Sequence, residues 1–113
     1  MSRIEKNRQT RKQMCTRLTQ LLDVVYRQSD AKIARTLGYS NASTLYRVRR
    51  NEVFPDVERL ERLVAARPAP GVIINLNWIV AGVGQPLLRI SRGVVDGEMS
   101  MGDFIDTYVS DFR

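Results

Sequence analysis

The chain has 113 residues, 43% of them hydrophobic, with one cysteine and no histidine. That length suits one domain with tails, and the composition excludes an intrachain disulfide and a His/Cys metal cluster. The net charge is +6 and the pI is near 10.1, which points to an anionic partner such as nucleic acid. Residues 1 to 67 carry 15 Lys+Arg against 7 Asp+Glu, whereas residues 96 to 113 carry one Arg against five acids. No apolar run approaches the ~18 residues of a membrane span.

Residues 1–9, MSRIEKNRQ, are polar and basic. They are either a disordered arm or the fraying start of the first helix, and with no apolar core behind them they are no secretory signal. Over 10–28, Met14, Leu18, Leu22 and Val25 recur on one helical face, widened by Leu21, while Arg11, Lys12 and Arg17 lie on other faces. Cys15 reads as a small packing residue, because no histidine is available to activate it as a nucleophile.

Residues 29–55, SDAKIARTLGYSNASTLYRVRRNEVFP, are the most informative stretch. Ser29 suits an N-cap, since its hydroxyl can accept from an orphaned backbone N–H. Ile33, Ala34 and Leu37 share one face, and Gly38 suits the left-handed end of that helix. Ser40 or Asn41 can cap a second helix with Leu45 and Val48 as its apolar edge. Asn51 stands where this helix should stop and tolerates positive φ, and Pro55 forbids a simple continuation. Two helices crossing steeply need a small side chain at the contact, which Ala34 supplies. The layout is a helix-turn-helix. The second helix keeps a solvated face of Asn41, Ser43, Tyr46, Arg47 and Arg50, the amide, hydroxyl and guanidinium chemistry that a major-groove reader needs.

After Pro55 a helix is expected over 56–66, with Val57, Leu60, Leu63 and Val64 buried and Glu58 paired with Arg62 one turn on. Arg67 to Gly71, RPAPG, is a loop by composition. Asn75 or Asn77 caps a short fifth helix through Val80, with the Trp78 ring expected in the core and Gly82 and Gly84 closing the helix. The GVGQP run lacks the Lys and Ser/Thr of a phosphate loop. Residues 86–91 alternate weakly and are a candidate strand. Residues 100–112 are a candidate helix with Ser100 as its cap and Phe104, Ile105, Tyr108 and Phe112 as an apolar stripe.

Lys32 to Pro55 resembles the phage-repressor and Cro type of helix-turn-helix domain, whose pattern is roughly L-A-x-x-L-G-V-S-x-x-T-I-S-R-W-x-x-G followed by a proline. Here it stands as Ile33-Ala34-Arg35-Thr36-Leu37-Gly38-Tyr39-Ser40, then Thr44-Leu45-Tyr46-Arg47-Val48, then Asn51 and Pro55. Leu76-Asn77-Trp78-Ile79-Val80-Ala81-Gly82-Val83-Gly84 is similar to the L-D-W-L-L-T-G-E-G ending of phage repressor N-terminal domains. One extra residue lies between Ser40 and Thr44, which leaves the register of the reading helix open by one. Asp30 occupies the place of a phosphate-contacting Gln, and Val48 replaces the common Trp.

The resemblance implies an all-α, five-helix lambda-repressor-like helix-turn-helix domain over 10–85. A basic N-terminal arm over 1–9 precedes it, and a C-terminal extension over 86–113, a strand and then a helix, follows it. It implies a sequence-specific regulator of double-stranded DNA, a phage or bacterial repressor acting in the cytoplasm of the bacterial cell or infected host. The helix over about 40–51 would enter the major groove. Asn41, Ser43, Tyr46, Arg47 and Arg50 are the expected base contacts, and Ser29, Lys32, Arg35, Ser40 and Thr44 the expected phosphate contacts. Operators of this class are two half-sites read by a dimer. The stripe Phe104, Ile105, Tyr108 and Phe112 is therefore the expected dimerisation element, with an intrachain clasp as the other option. No catalysis, cofactor, metal or membrane contact is expected. The alternative function is an antitoxin-like or regulatory protein-interaction module that binds a protein partner through the acidic extension.

Overall fold

In the computed structural model, residues 2–90 and 101–108 are described. The elements in chain order are α1 (Arg3–Tyr26), α2 (Asp30–Thr36), α3 (Ser43–Arg49), α4 (Val57–Ala65), β1 (Val72–Ile74), α5 (Leu76–Ala81), β2 (Leu87–Arg89) and α6 (Met101–Tyr108).

Helix α1 begins at residue 3 rather than residue 10, and its start has a local cause. Ser2 Oγ accepts from Glu5 N at 3.2 Å while Ser2 N donates to Glu5 Oε2 at 3.3 Å, a reciprocal capping box. The helix stops at Arg27, which is left-handed at φ 46°. Its buried residues are Cys15, Leu18, Leu21 and Leu22, whereas Met14 and Val25 are only half-buried. The inward stripe is thus rotated slightly from the one expected, with Cys15 as a full member.

Helices α2 and α3 end in the same way. Tyr39 N donates to Ala34 O and Gly38 N to Arg35 O, both at 2.9 Å, with Gly38 at φ 86°. Glu52 N donates to Arg47 O at 3.0 Å and Asn51 N to Val48 O at 2.9 Å, with Asn51 at φ 63°. Both are Schellman closures, which satisfy carbonyls left open at a helix end. Ser29 caps α2 by accepting from Lys32 N at 3.4 Å. The start of α3 differs from the simple N-cap expected: Ala42 holds the cap position without a side-chain bond, and Asn41 Oδ1 accepts from Ser43 N at 2.9 Å.

The core is a single cluster. Leu18 and Leu22 of α1 meet Ile33, Ala34 and Leu37 from α2 and its end, Leu45 and Val48 of α3, Leu63 of α4, Ile74 of β1 and Ile79 of α5. Burying side chains of this size stabilises by about 1.5–3 kcal/mol each relative to exposure. Arginines of α4 cover the turn between α2 and α3: Arg59 lies over the Tyr39 ring at 5.2 Å, and Arg62 approaches Gly38.

Three further expectations need correction. Val57 is 81% exposed, whereas Leu63 is buried and Leu60 and Val64 are half-buried. Val57 shares their face by spacing but stands on the first turn of α4, where no neighbour covers it. Trp78 is half-buried, and Ile79 is the α5 side chain that enters the core. The indole packs against the core from its edge and lines an open apolar groove with Leu21, Val24, Val25 and Leu87. The fold is mainly α rather than all-α, because β1 and β2 form an antiparallel pair with Val72 opposite Arg89, Ile73 opposite Leu88 and Ile74 opposite Leu87. Asn75, which caps α5, closes this unit: its Nδ2 donates to Gln85 O at 2.8 Å and to Val83 O at 3.4 Å, and its Oδ1 accepts from Asn77 N at 3.1 Å.

The candidate strand over 86–91 corresponds to β2, and α6 falls within the candidate helix over 100–112. Of the apolar stripe, Ile105 is 45% exposed. Phe112, and the side chains of Phe104 and Tyr108, lie outside the described residues. Among the described residues no helix is long and apolar enough to cross a membrane.

Candidate nucleic-acid interface

Helix α3 has one sealed side and one open side. Leu45 and Val48 are fully buried, three residues apart. Ser43, Tyr46, Arg47 and Arg50 follow the same spacing around the opposite surface, and all four are exposed, as is Asn41 just before the helix. The five expected base-reading residues therefore share one solvent-facing edge. Of the expected phosphate contacts, Ser29, Lys32, Arg35 and Ser40 are exposed and Thr44 is half-buried.

Local bonds limit what some of these groups can offer. The Asn41 carbonyl oxygen accepts from Ser43 N–H through one of its two lone pairs. Reading adenine with both ends of the amide would use the other lone pair and the NH₂. Ser29 Oγ accepts from Lys32 N, but its hydroxyl proton remains available. Arg35 Nε leans back on Ala31 O of its own helix at 3.4 Å.

The arginines of α3 divide into two groups. Arg49 turns away from the open edge: its guanidinium bonds both Asp23 oxygens, at 3.0 and 2.8 Å, and Asp30 Oδ1 at 2.7 Å. It thereby ties α3 to the end of α1 and to the first turn of α2. The Arg49 hydrogen bond pulls the Asp23 carboxyl below its ordinary range, and Asp23 and then Asp30 hold Arg49 still more firmly protonated. Asp30 is thus a structural anchor rather than a phosphate contact.

Arg47 and Arg50 stay on the open edge and share Glu52. Arg47 Nε lies 3.4 Å from Glu52 Oε2, and Arg50 Nε lies 3.0 Å from Glu52 Oε1. Hydrogen bonding from Arg50 above all, helped by the Arg50 charge and by the bond and charge of Arg47, holds the Glu52 carboxyl below its usual value against desolvation. The first helix fixes the far end of α3 as well. Arg11 Nε donates to Asn51 O at 2.9 Å, and the Cys15 thiol donates to Val53 O at 3.2 Å.

Neither Glu52, Arg11 nor the Arg49–Asp23–Asp30 group stood out in the sequence. The one available signal was Asp30, an acid where a phosphate contact was expected. Among the described residues no group of three or more His, Cys, Asp or Glu side chains could hold a metal ion. No family model matches the chain, and neither a curated protein nor a solved structure matches it significantly.

Proposed function

We propose that the chain is a sequence-specific binder of double-stranded DNA, a repressor of the phage or bacterial kind, in which α2, the Gly38 turn and α3 act as a helix-turn-helix. The observation that carries this reading is the open edge of α3. Two guanidiniums, an amide, a hydroxyl and a phenol project from one side of a helix whose other side is locked in the core. A lone α-helix fits the major groove, and these groups match the donors and acceptors displayed there. The positive excess of residues 1 to 67 supplies the sequence-independent attraction to phosphate.

In this mechanism Arg47 offers its terminal nitrogens to guanine O6 and N7. Tyr46 lies beside it and Ser43 about one turn nearer the start of the helix, toward base edges or phosphate. Asn41 would meet adenine with its NH₂ and the free lone pair of its carbonyl oxygen. Lys32 and Arg35 of α2, with Ser29, Ser40 and Thr44, would hold the backbone and fix the register. Two chains on two half-sites would occupy a promoter and exclude polymerase without any catalysis.

Selection of tight binders from a random duplex library, followed by fluorescence anisotropy on the selected and a scrambled duplex, tests this reading. Specific binders typically discriminate by about 10³ or more. Arg47→Ala should cost about 1–3 kcal/mol on the selected duplex and relax one base position. Unchanged affinity for both duplexes would remove Arg47 from the interface. The second reading, a protein-interaction module, is favoured by α6, where Met101 and Ile105 are exposed. It would move ahead if no sequence were selected.

A further inference from the structure

We infer that Glu52 is a positioning and specificity-determining residue of the α3 edge: it holds Arg47 and Arg50 by their Nε edges, weakens their grip on phosphate and leaves the outer nitrogens of Arg47 for a base. The inference rests on the DNA-reading proposal above.

Backbone geometry puts Glu52 there. The left-handed Asn51 and the bond from Glu52 N to Arg47 O at 3.0 Å turn the chain back over the last turn of α3. The carboxylate then reaches two side chains that precede it, bonding Arg47 Nε at 3.4 Å and Arg50 through Nε at 3.0 Å and a terminal nitrogen at 3.5 Å. Among the described residues it is the one acid bonded to any of the five candidate base readers. Arg47 is bonded to Glu52 through Nε, which leaves its two terminal nitrogens unbonded to the carboxylate.

Helix stability does not explain this acid. A carboxylate just past a helix C-terminus faces the negative end of the macrodipole, which is unfavourable by itself. Three exposed side chains in an ion-pair group contribute little to folding, since exposed pairs are screened by water. The arrangement does control what the arginines can bind. A phosphate near either guanidinium is repelled by the Glu52 charge, and at Arg50 it must also displace a carboxylate bonded through Nε and a terminal nitrogen. A guanine edge needs only the outer nitrogens of Arg47, which Glu52 leaves open while it limits their rotation. The carboxylate therefore lowers binding to arbitrary DNA more than binding to the correct site, and this difference is specificity.

The test compares the full-length wild type with Glu52→Gln, which keeps the shape and removes the charge. Both are measured on the duplex selected by the wild type and on a scrambled duplex across a range of salt, and both are melted. For Glu52→Gln the expected results are tighter binding to the scrambled duplex and a salt slope steeper by about one unit, for one phosphate contact released. The ratio of specific to scrambled affinity should fall about tenfold, on the scale of one base contact, at an unchanged melting temperature. An unchanged ratio and slope, with the wild type still discriminating, would overturn the inference and leave the DNA-reading proposal standing. A fall in ratio accompanied by a melting temperature several degrees lower would make Glu52 a structural residue and also overturn it. A wild type that selects no sequence would overturn both.

Discussion

Replacing Arg49 with Met should loosen the α2–α3 pair more than any other single change at its surface. The substitution keeps an apolar stem of similar length and removes three charge-assisted bonds, at 3.0, 2.8 and 2.7 Å. A hydrogen bond to a charged group is nominally worth about 1.5–3 kcal/mol, but the side chains here are partly wet, at 26% exposure for Arg49, 32% for Asp30 and 53% for Asp23. The Asp23 pair is therefore discounted to at most about 1 kcal/mol. The better shielded Asp30 pair adds about 1 kcal/mol, giving about 2 kcal/mol in all. For a domain of this size each kcal/mol moves the thermal midpoint by roughly 4–8 °C, so the midpoint should fall by about 10 °C in a circular dichroism melt. A double-mutant cycle with Asp30→Asn should return a coupling of about 1 kcal/mol. The acid limb carries a second signature. The Asp23 carboxyl is lowered in the folded state, so its share of stability is complete above its ordinary value of 3.8 and is lost as pH falls through the lower folded value. Arg49→Met should therefore lose less stability than wild type below about pH 4. A variant within about 0.3 kcal/mol of wild type at neutral pH, or a cycle with no coupling, would show that the three-helix tie is not an energetic unit.

Gly38→Ala is expected to cost about 1–2 kcal/mol through its backbone, because φ is +86° and a Cβ is disfavoured there. The Cβ would also come within 2.5 Å of Arg62 Cδ, but that side chain is 56% exposed and can swing aside. A loss above about 3 kcal/mol in urea unfolding would mean that the clash dominates instead. Cys15 should resist an aromatic disulfide reagent in the native protein. It is fully buried, its thiol is pushed up by burial against a weaker pull from Arg11, and its S–H donates to Val53 O. Labelling without denaturant at the rate of a free thiol would refute this.

Features set by a few neighbouring residues were readable from the sequence. The Ser29 cap, the Gly38 stop and the Asn51 stop each depend on local chemistry, and each lies where its residue type favours it. The strand pair was only half visible. Each strand is three residues long, too short for alternation to stand out, and β1 finds its partner beyond an intervening helix. Residues 1–9 read either as an arm or as the start of the first helix, and the capping box of Ser2 and Glu5 makes them the latter from Arg3 on. The outward edge of α3 could be listed from helical spacing. What its residues bond to could not: Arg49 meets acids from two other helices, and Glu52 reaches Arg47 and Arg50 only because Asn51 reverses the chain.

The long first helix has a mechanical meaning. Arg11 grips Asn51 O at the end of α3, and Arg17 grips Ile79 O at 2.8 Å and Val80 O at 3.0 Å at the end of α5. The two grips are six residues apart on one uninterrupted helix, about 9 Å along its axis. That segment works as a rigid spar between two clamps. A load applied to α5 and the strand pair passes to the end of α3 through two guanidiniums and three hydrogen bonds, with no loop between them. The separation between those parts of the molecule is thus set by the length of a helix rather than by the slack of a loop.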